Sequence, residues 1–330
     1  MEAQLVSELP LGKTWHYEPK WDGFRGVLEN DGGELALWSR NGRPLLRYFP
    51  ELAELGERLP PHSALDGEIV IEQAGRIEFD LLQMRLHPAE SRVRRLAAEM
   101  PARFVCFDVL LWKAAPIWHQ PLTKRRARLE RLPFDVSPAS RDPGQAQEWL
   151  DRLDAIGLDG VVAKRTDSPY LPGSRNAVSK VKEHRSTDCV VVGVRWKAKP
   201  KQLATLLLGL YEDDGRLDYV GSCAVAASRQ KEILALVEPL FAGAPERPPE
   251  RGPSEQNRWG TGGLEESALR PELVVEVRYD KVQGNRFRHG TRLLRFRPDK
   301  DADQCTWEQV RPKPRRDDPT VESLLARPRP

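Results

Sequence analysis

Apolar residues recur at every second position through much of the first half of the chain, a period that predicts strands more than helices. Trp15 and Tyr17 alternate with polar neighbours. Phe24 to Glu29 and Glu34 to Trp38 flank Asn30-Asp31-Gly32-Gly33, a sequence suited to a hairpin turn. Ala64 to Ile71 reads as a strand, and the nearly continuous apolar run Phe104 to Trp112 as a buried one. Helical spacing appears over Tyr48 to Leu59, from a Thr123 cap to Leu132, and over Gln145 to Ile156. Gly160 to Lys164 and Val178 to Lys182 return to strand.

Around Glu183 to Thr187 the pattern changes. Cys189 to Trp196, Leu203 to Glu212 and Leu217 to Val225 are consecutive strands separated by Lys/Pro or Asp-Asp-Gly turns. Lys231 to Phe241 is helical, and Leu273 to Tyr279 and Leu293 to Arg297 are strands again. Gly243 to Gly263 reads as a loop, and its Gly260-Thr261-Gly262-Gly263 lacks the strand and lysine of a phosphate clamp. Strands with a single helix predict a small closed barrel such as an OB-fold. The fold class is therefore α+β. The domains are expected at 1–185 and 186–312, with a flexible Pro/Arg-rich tail over 313–330.

Composition narrows this only in places. At 330 residues two domains are natural, and no apolar run approaches a bilayer span. The first residues carry Glu2 and Glu8 and no signal pattern, so a cytoplasmic protein is expected. Cys106, Cys189, Cys223 and Cys305 are far apart, which argues against disulfides and zinc. The net charge of +3 is carried by the tail: residues 311–330 hold six basic side chains and three acids. Any nucleic-acid surface must then come from local clusters. One is Arg195, Lys197, Lys199 and Lys201; another runs from Arg278 to Lys300 and includes Arg286 and Arg288.

The chemistry lies in a series of short motifs. Lys20-Trp21-Asp22-Gly23-Phe24-Arg25 is followed by Asp66-Gly67-Glu68, Phe107-Asp108, Asp159-Gly160-Val161-Val162-Ala163-Lys164 and Lys180-Val181-Lys182. A lysine nucleophile must become neutral, which for a free side chain at pH 7 costs about 4–5 kcal/mol. Burial and neighbouring cations such as Arg25, Lys180 and Lys182 would lower that cost. The amine would then attack the α-phosphate of a nucleoside triphosphate and form a phosphoramidate. Glu68 and Asp159 offer hard carboxylate oxygens for Mg²⁺. Phe107 can stack on a purine while Val162 covers the other face. Lys180 and Lys182, two apart on a strand, share a face and suit phosphate binding.

These motifs, in this order, resemble those of the covalent nucleotidyltransferases, specifically the ATP-dependent DNA ligases of the bacterial minimal type. Ser39-Arg40-Asn41-Gly42 and Arg297-Pro298-Asp299-Lys300 match two further motifs of that family, and Ser168-Pro169-Tyr170 and Gly173-Ser174-Arg175 resemble its bacterial end-joining branch. The resemblance implies an adenylation domain of antiparallel sheets with helices, then an OB-fold domain. It makes Lys20 the AMP-lysine, with Lys180 and Lys182 on the α-phosphate. Glu18 is placed at the adenine pocket and Phe107 on the adenine. Arg25 is placed on the ribose or nick strand, Arg40 on the 5′-phosphate, and Glu68 on ribose and metal. Val162, Arg175 and Arg297 join the nucleotide contacts. DNA contacts are expected from Arg40, Lys197, Lys199, Lys201, Arg286 and Arg288. ATP, Mg²⁺ or Mn²⁺, and nicked duplex DNA are the implied cofactors and partner, for a protein that works as a monomer in repair or end joining. One position departs from the family: Asp159 stands where glutamate is usual, which shortens that carboxylate by a methylene.

Two rivals share parts of this pattern. An RNA ligase or an mRNA capping guanylyltransferase would use the same lysine, carboxylates and aromatic. A catalytically silent nucleic-acid binder would use the OB-like half alone.

Overall fold

The computed structural model describes residues 1–182, 185–197, 202–246, 249, 265–311 and 317–326. They form two units, Met1–Glu183 with Lys313–Pro330, and His184–Pro312.

In the first unit the strands Glu34–Ser39, Phe24–Asp31, Ser63–Gln73 and Ala102–Trp112 lie side by side in that order, all antiparallel. Alternation along Ser63–Gln73 sorts its side chains. Leu65, Ile69 and Ile71 enter one core with Phe49, Leu82 and Leu129, while Val70 enters another with Tyr17 and Val161. Asp66 and Glu68 are in step with Val70, so both carboxylates point between two sheets. The second sheet has the order Gln4–Val6, Val178–Val181, Val161–Arg165, Trp15–Pro19. Its first pair is parallel and the others are antiparallel.

Three local expectations need correction. Tyr48–Leu59 is not an α-helix but two 3₁₀ segments, Leu46–Tyr48 and Pro50–Glu57. Helix Leu122–Leu129 begins after Pro121 and receives no Thr123 cap; proline at the entry already supplies a suitable φ. Residues 79–99, left without an element by the sequence pattern, form helices Phe79–Arg85 and Glu90–Glu99.

The tail also differs. Residues 317–326 fold onto the first unit: Thr320 and Ser323 form a capping box for helix Val321–Leu325. Val321 is fully buried, with Leu324 and Leu325 packed around it. Glu322 pairs with Arg103, and Asp317 with Arg152. The signal was the spacing of Val321, Leu324 and Leu325 behind a threonine, masked by the surrounding Pro and Arg.

The second unit is the expected OB-type barrel. Its sheet runs Leu217–Ala224, Gln202–Tyr211, Arg185–Lys197, Val274–Tyr279, Arg292–Phe296. The long strand Arg185–Lys197 pairs Val274–Tyr279 with its first half and Glu265–Ala268 with its second. Bulges at Val191/Gly193, Arg195/Trp196 and Leu208/Gly209 bend the sheet. A bridge between Cys223 and Thr291 joins its two ends. Closure buries both halves of the long strand, which is why Cys189 to Val192 reads as an unbroken apolar run. The helix expected from Lys231 is Gln230–Val237, continued by a 3₁₀ turn. The Gly260-Thr261-Gly262-Gly263 segment lies outside the described residues.

Candidate active site

Strand register assembles the site. Val162 pairs with Glu18 on one side and with Lys180 on the other; Lys164 pairs with His16 and Val178. At the end of the same ladder the backbone N–H of Lys20 donates to the Gly160 carbonyl at 2.9 Å. Side chains two apart share a face, so three motifs distant in sequence become a single wall. Two glycines permit the close packing. A Cβ on Gly160 would meet the Val181 carbonyl at 2.1 Å, and one on Gly23 the Ile69 carbonyl at 2.1 Å. The second contact ties the Lys20 motif to the Asp66-Gly67-Glu68 strand.

Glu18, Lys20, Arg25, Arg40, Glu68, Phe107, Val162 and Lys180 all line one cavity of about 820 Å³. Lys20 is held from both sides, since Pro19 and Trp21 are buried and the Trp21 indole donates to Ser137 Oγ at 3.0 Å. Its Nζ donates to Asp159 Oδ1 at 2.5 Å, and Lys182 Nζ lies 2.8 Å from Asp159 Oδ2. Burial alone would raise the Asp159 carboxyl, but the charges of Lys20 and Lys182 override it and hold it at about 2. The sequence reading surrounded Lys20 with cations. The structure adds a carboxylate as its direct partner, so the amine is aimed by an ion pair. Lys180, on the adjacent strand, is lowered by burial and by the charges of Lys20 and Lys182. Lys182 lies just past the strand and turns to Asp159, so it is not in the cavity wall.

Arg25 is fully engaged within the protein. It grips Asp66 with Nε at 3.1 Å and Nη2 at 2.6 Å, and donates to the Tyr170 hydroxyl at 2.8 Å. Tyr170 in turn donates to Asp66 at 2.7 Å. Burial works against charge on Arg25, yet Asp66 more than compensates and raises it. Glu68 beside this pair is pushed up to about 8 by burial, only partly offset by Lys20 and Arg25.

Phe107 reaches the cavity through a bulge. Asp66 pairs with Asp108 and Gly67 with Cys106, so Phe107 is the extra residue and both it and Asp108 face the cleft. Asp108 is held by a buried bidentate contact from Arg125, at 2.7 and 3.0 Å. Lys164, the last residue of the Asp159 motif, has no role in the sequence reading. Its Nζ is 4.6 Å from the Phe107 ring centroid and 2.8 Å from Glu18 Oε2. Glu18 is 2% exposed and its Oε1 makes no hydrogen bond, although Arg126 lies 3.6 Å away. A period of two from Val162 to Lys164 was the available signal.

A resident metal does not fit. Among the described residues no group of three His, Cys, Asp or Glu side chains could hold one. Asp159 is committed to two ammonium groups, and Glu68 resists ionisation. Both fit the lesser role of a carboxylate meeting an ion that arrives with the triphosphate.

The remaining expected contacts are elsewhere. Arg175 is exposed and pairs with Glu2 at 2.9 Å. Arg297 belongs to the second unit, where Asp188 meets its Nη1 with both oxygens at 2.9 Å and Asp299 meets Nη2. Lys197 is exposed at the end of its strand, and Arg286 and Arg288 are partly exposed around the short Val282–Gln283/Arg286–Phe287 hairpin. Lys199 and Lys201 lie outside the described residues.

Comparison with known proteins places these features. Residues 4–182 match the ATP dependent DNA ligase domain, and residues 199–300 the ATP dependent DNA ligase C terminal region. The chain is 43% identical over 314 residues to DNA ligase C1 of Mycolicibacterium smegmatis, covering 90% of this chain and 88% of that protein. It is 30% identical over 305 residues to the multifunctional non-homologous end joining protein LigD of the same organism, covering 90% of this chain and 38% of LigD. A solved structure from work on Lig E DNA ligases superposes with a TM-score of 0.54 at 16% identity, covering 90% of this chain and all of that one, which speaks for the fold alone. With its cavity motifs and both matched regions in sequence order, the chain belongs to the ATP-dependent DNA ligases.

Proposed function

We propose that the cavity of the first unit carries out self-adenylylation at Lys20 and then delivers AMP to the 5′-phosphate of a nick. The convergence of Lys20, Glu68, Phe107 and Lys180 on one cavity supports this reading most directly. Lys20 Nζ attacks the α-phosphorus of ATP; a P–N bond forms and the P–O bond to pyrophosphate breaks. The 5′-phosphate oxygen next displaces Lys20 from that phosphorus. The 3′-OH finally attacks the activated 5′-phosphate and AMP departs.

Lys20 must shed a proton before attack. Asp159, held near 2, is too weak a base to keep it. Its part is to aim the amine, with Lys182 sharing its charge. Lys180 stands on the neighbouring strand to meet the α-phosphate. Phe107 offers a face to adenine, and Glu18, which lines the same cavity, offers a carboxylate to a donor on the base edge. A Mg²⁺ or Mn²⁺ arriving with the triphosphate would offset charge on pyrophosphate, and Glu68, which lines the cavity, would meet it once ionised.

The substrate we infer is nicked duplex DNA, sealed by a monomer in the bacterial cytoplasm. The similarity to LigD favours a repair or end-joining setting. No helix among the described residues is long and apolar enough to cross a membrane. The family membership disfavours the capping and silent-binder readings. The test is twofold: with ATP and Mg²⁺ the protein gains one AMP by intact mass, and it seals a singly nicked duplex. A protein that stays unmodified and leaves the nick open refutes the proposal.

A further inference from the structure

One hydrophobic core lies behind all five motifs of the cavity. Tyr17 and Trp21 enter it from either side of Lys20, Val70 from the Glu68 strand and Val105 from the Phe107 strand. Val161 enters from the Asp159 motif, and Val181 from between Lys180 and Lys182. Val321 joins the same core, fully buried, with Leu324 and Leu325 packed against it. It arrives after residues 184–312, so the second unit is an insertion within the first. The segment 317–326 also lies outside both matched ligase regions. Its ion pairs are too open to water to hold it, since the Asp317 and Glu322 side chains are 79% and 71% exposed. The apolar contact of Val321, behind the Thr320 cap, is what docks it.

We propose that Val321 and its short helix are a positioning element for adenylylation. Their docking fixes the packing behind Lys20 and Asp159, so the site is complete only once the chain has returned from the second unit. The inference rests on the self-adenylylation reading above and adds to it a residue that does not line the cavity. Close-packed interiors transmit strain, and methyl groups deleted from them leave a space into which neighbours relax only in part. Here the shared core includes Trp21, next to Lys20, and Val161, two residues from Asp159. The Lys20–Asp159 contact of 2.5 Å allows little slack. In-line attack on phosphorus loses rate steeply for shifts of about 1 Å, whereas ATP binding is spread over many contacts. The other core of this unit, with Leu52, Leu82 and Leu129, packs against the Glu68 strand. Among the described residues it takes none adjacent to Lys20 and none from the Asp159 or Lys180 motifs.

The test measures single-turnover formation of the AMP adduct, by intact mass with ATP and Mg²⁺, on the whole chain first freed of AMP with pyrophosphate. Val321→Ala lowers the rate at saturating ATP about three- to tenfold and moves the half-saturating ATP concentration by less than about twofold. Leu324→Ala, at the margin of the contact, gives a smaller loss of the same kind. Leu52→Ala deletes more from the other core, lowers the urea midpoint at least as far, and keeps the wild-type rate. Circular dichroism without urea checks that each variant is folded, and Leu324→Ala carries the test should Val321→Ala fail to fold. A rate equal to that of wild type in the folded tail variants, or a Leu52→Ala rate that falls as far as theirs, overturns the proposal. A wild type that takes up no AMP refutes the self-adenylylation reading instead, so the two failures are distinguishable.

Discussion

Each unit contains an aspartate clamped by two cations, and the two clamps are built in opposite ways. In the first, Asp159 takes Lys20 and Lys182, which lie 139 and 23 residues away along the chain. In the second, Asp188 takes Arg297 and Lys300, which sit three residues apart in one turn. The Asp159 side chain is 5% exposed and that of Asp188 11%. The difference lies in how the cations are delivered. Arg297 and Lys300 are delivered together by local sequence, and Asp299 adds a second anion to Arg297. Lys20 and Lys182 are delivered by register across a sheet, and under the proposed reaction Lys20 must leave the clamp. A similar arrangement of charge is thus assembled by local sequence in one unit and by sheet register in the other.

Four experiments would break or sharpen this contrast. The largest effect is expected from Lys20→Ala. It should abolish the AMP adduct and lower nick sealing by more than about a thousandfold, because no other group supplies the covalent intermediate. An adduct that persists in that variant would make the first clamp as structural as the second.

Next comes Asp159→Asn, read by urea unfolding. A carboxyl moved from 3.8 to about 2 corresponds to about 2 kcal/mol of stability at neutral pH. The sign follows from the folded value lying below the unfolded one. The contribution is complete above 3.8 and disappears as pH falls through about 2, so wild type and variant should converge in acid. Equal stability at pH 7 would show that the clamp aims Lys20 without stabilising the unit.

A cation outside both clamps gives the third test. Lys164→Met strips Glu18 of its 2.8 Å partner. The ATP concentration for half-maximal adenylylation should rise about tenfold, roughly 1.4 kcal/mol, and the preference for ATP over GTP should narrow. Unchanged nucleotide dependence would leave Lys164 a purely structural residue. The smallest effect is expected for Asp188→Asn. It removes the anion shared by Arg297 and Lys300, so unfolding of the second unit should shift to lower urea while the AMP adduct stays intact by mass spectrometry, the smallest effect on the reaction.

The two clamps also show what could be read in advance. Arg297-Pro298-Asp299-Lys300 is a contiguous string, visible without any fold. Lys20 was legible because its neighbours Asp22, Gly23 and Arg25 accompany it. Its partner Asp159 was marked only as a metal candidate, because a cross-strand contact leaves no spacing in the sequence. Lys164 stands at the end of a recognised motif, but its contacts with Glu18 and Phe107 leave no spacing in the sequence. Glu2 looked like one more acid near the start of the chain. The tail was read from its prolines and arginines, and the buried Val321 shows that a short apolar repeat outweighed them.

The sequence by itself determined most of the strands, the barrel and the family, since periodicity and short motifs are local and survive in one dimension. Only the tertiary structure decided which carboxylate holds Lys20, why Phe107 faces the cleft, and how Glu2 bridges Arg40 and Arg175. Those contacts depend on strand register and a single bulge, where a shift of one residue turns each side chain to the other face.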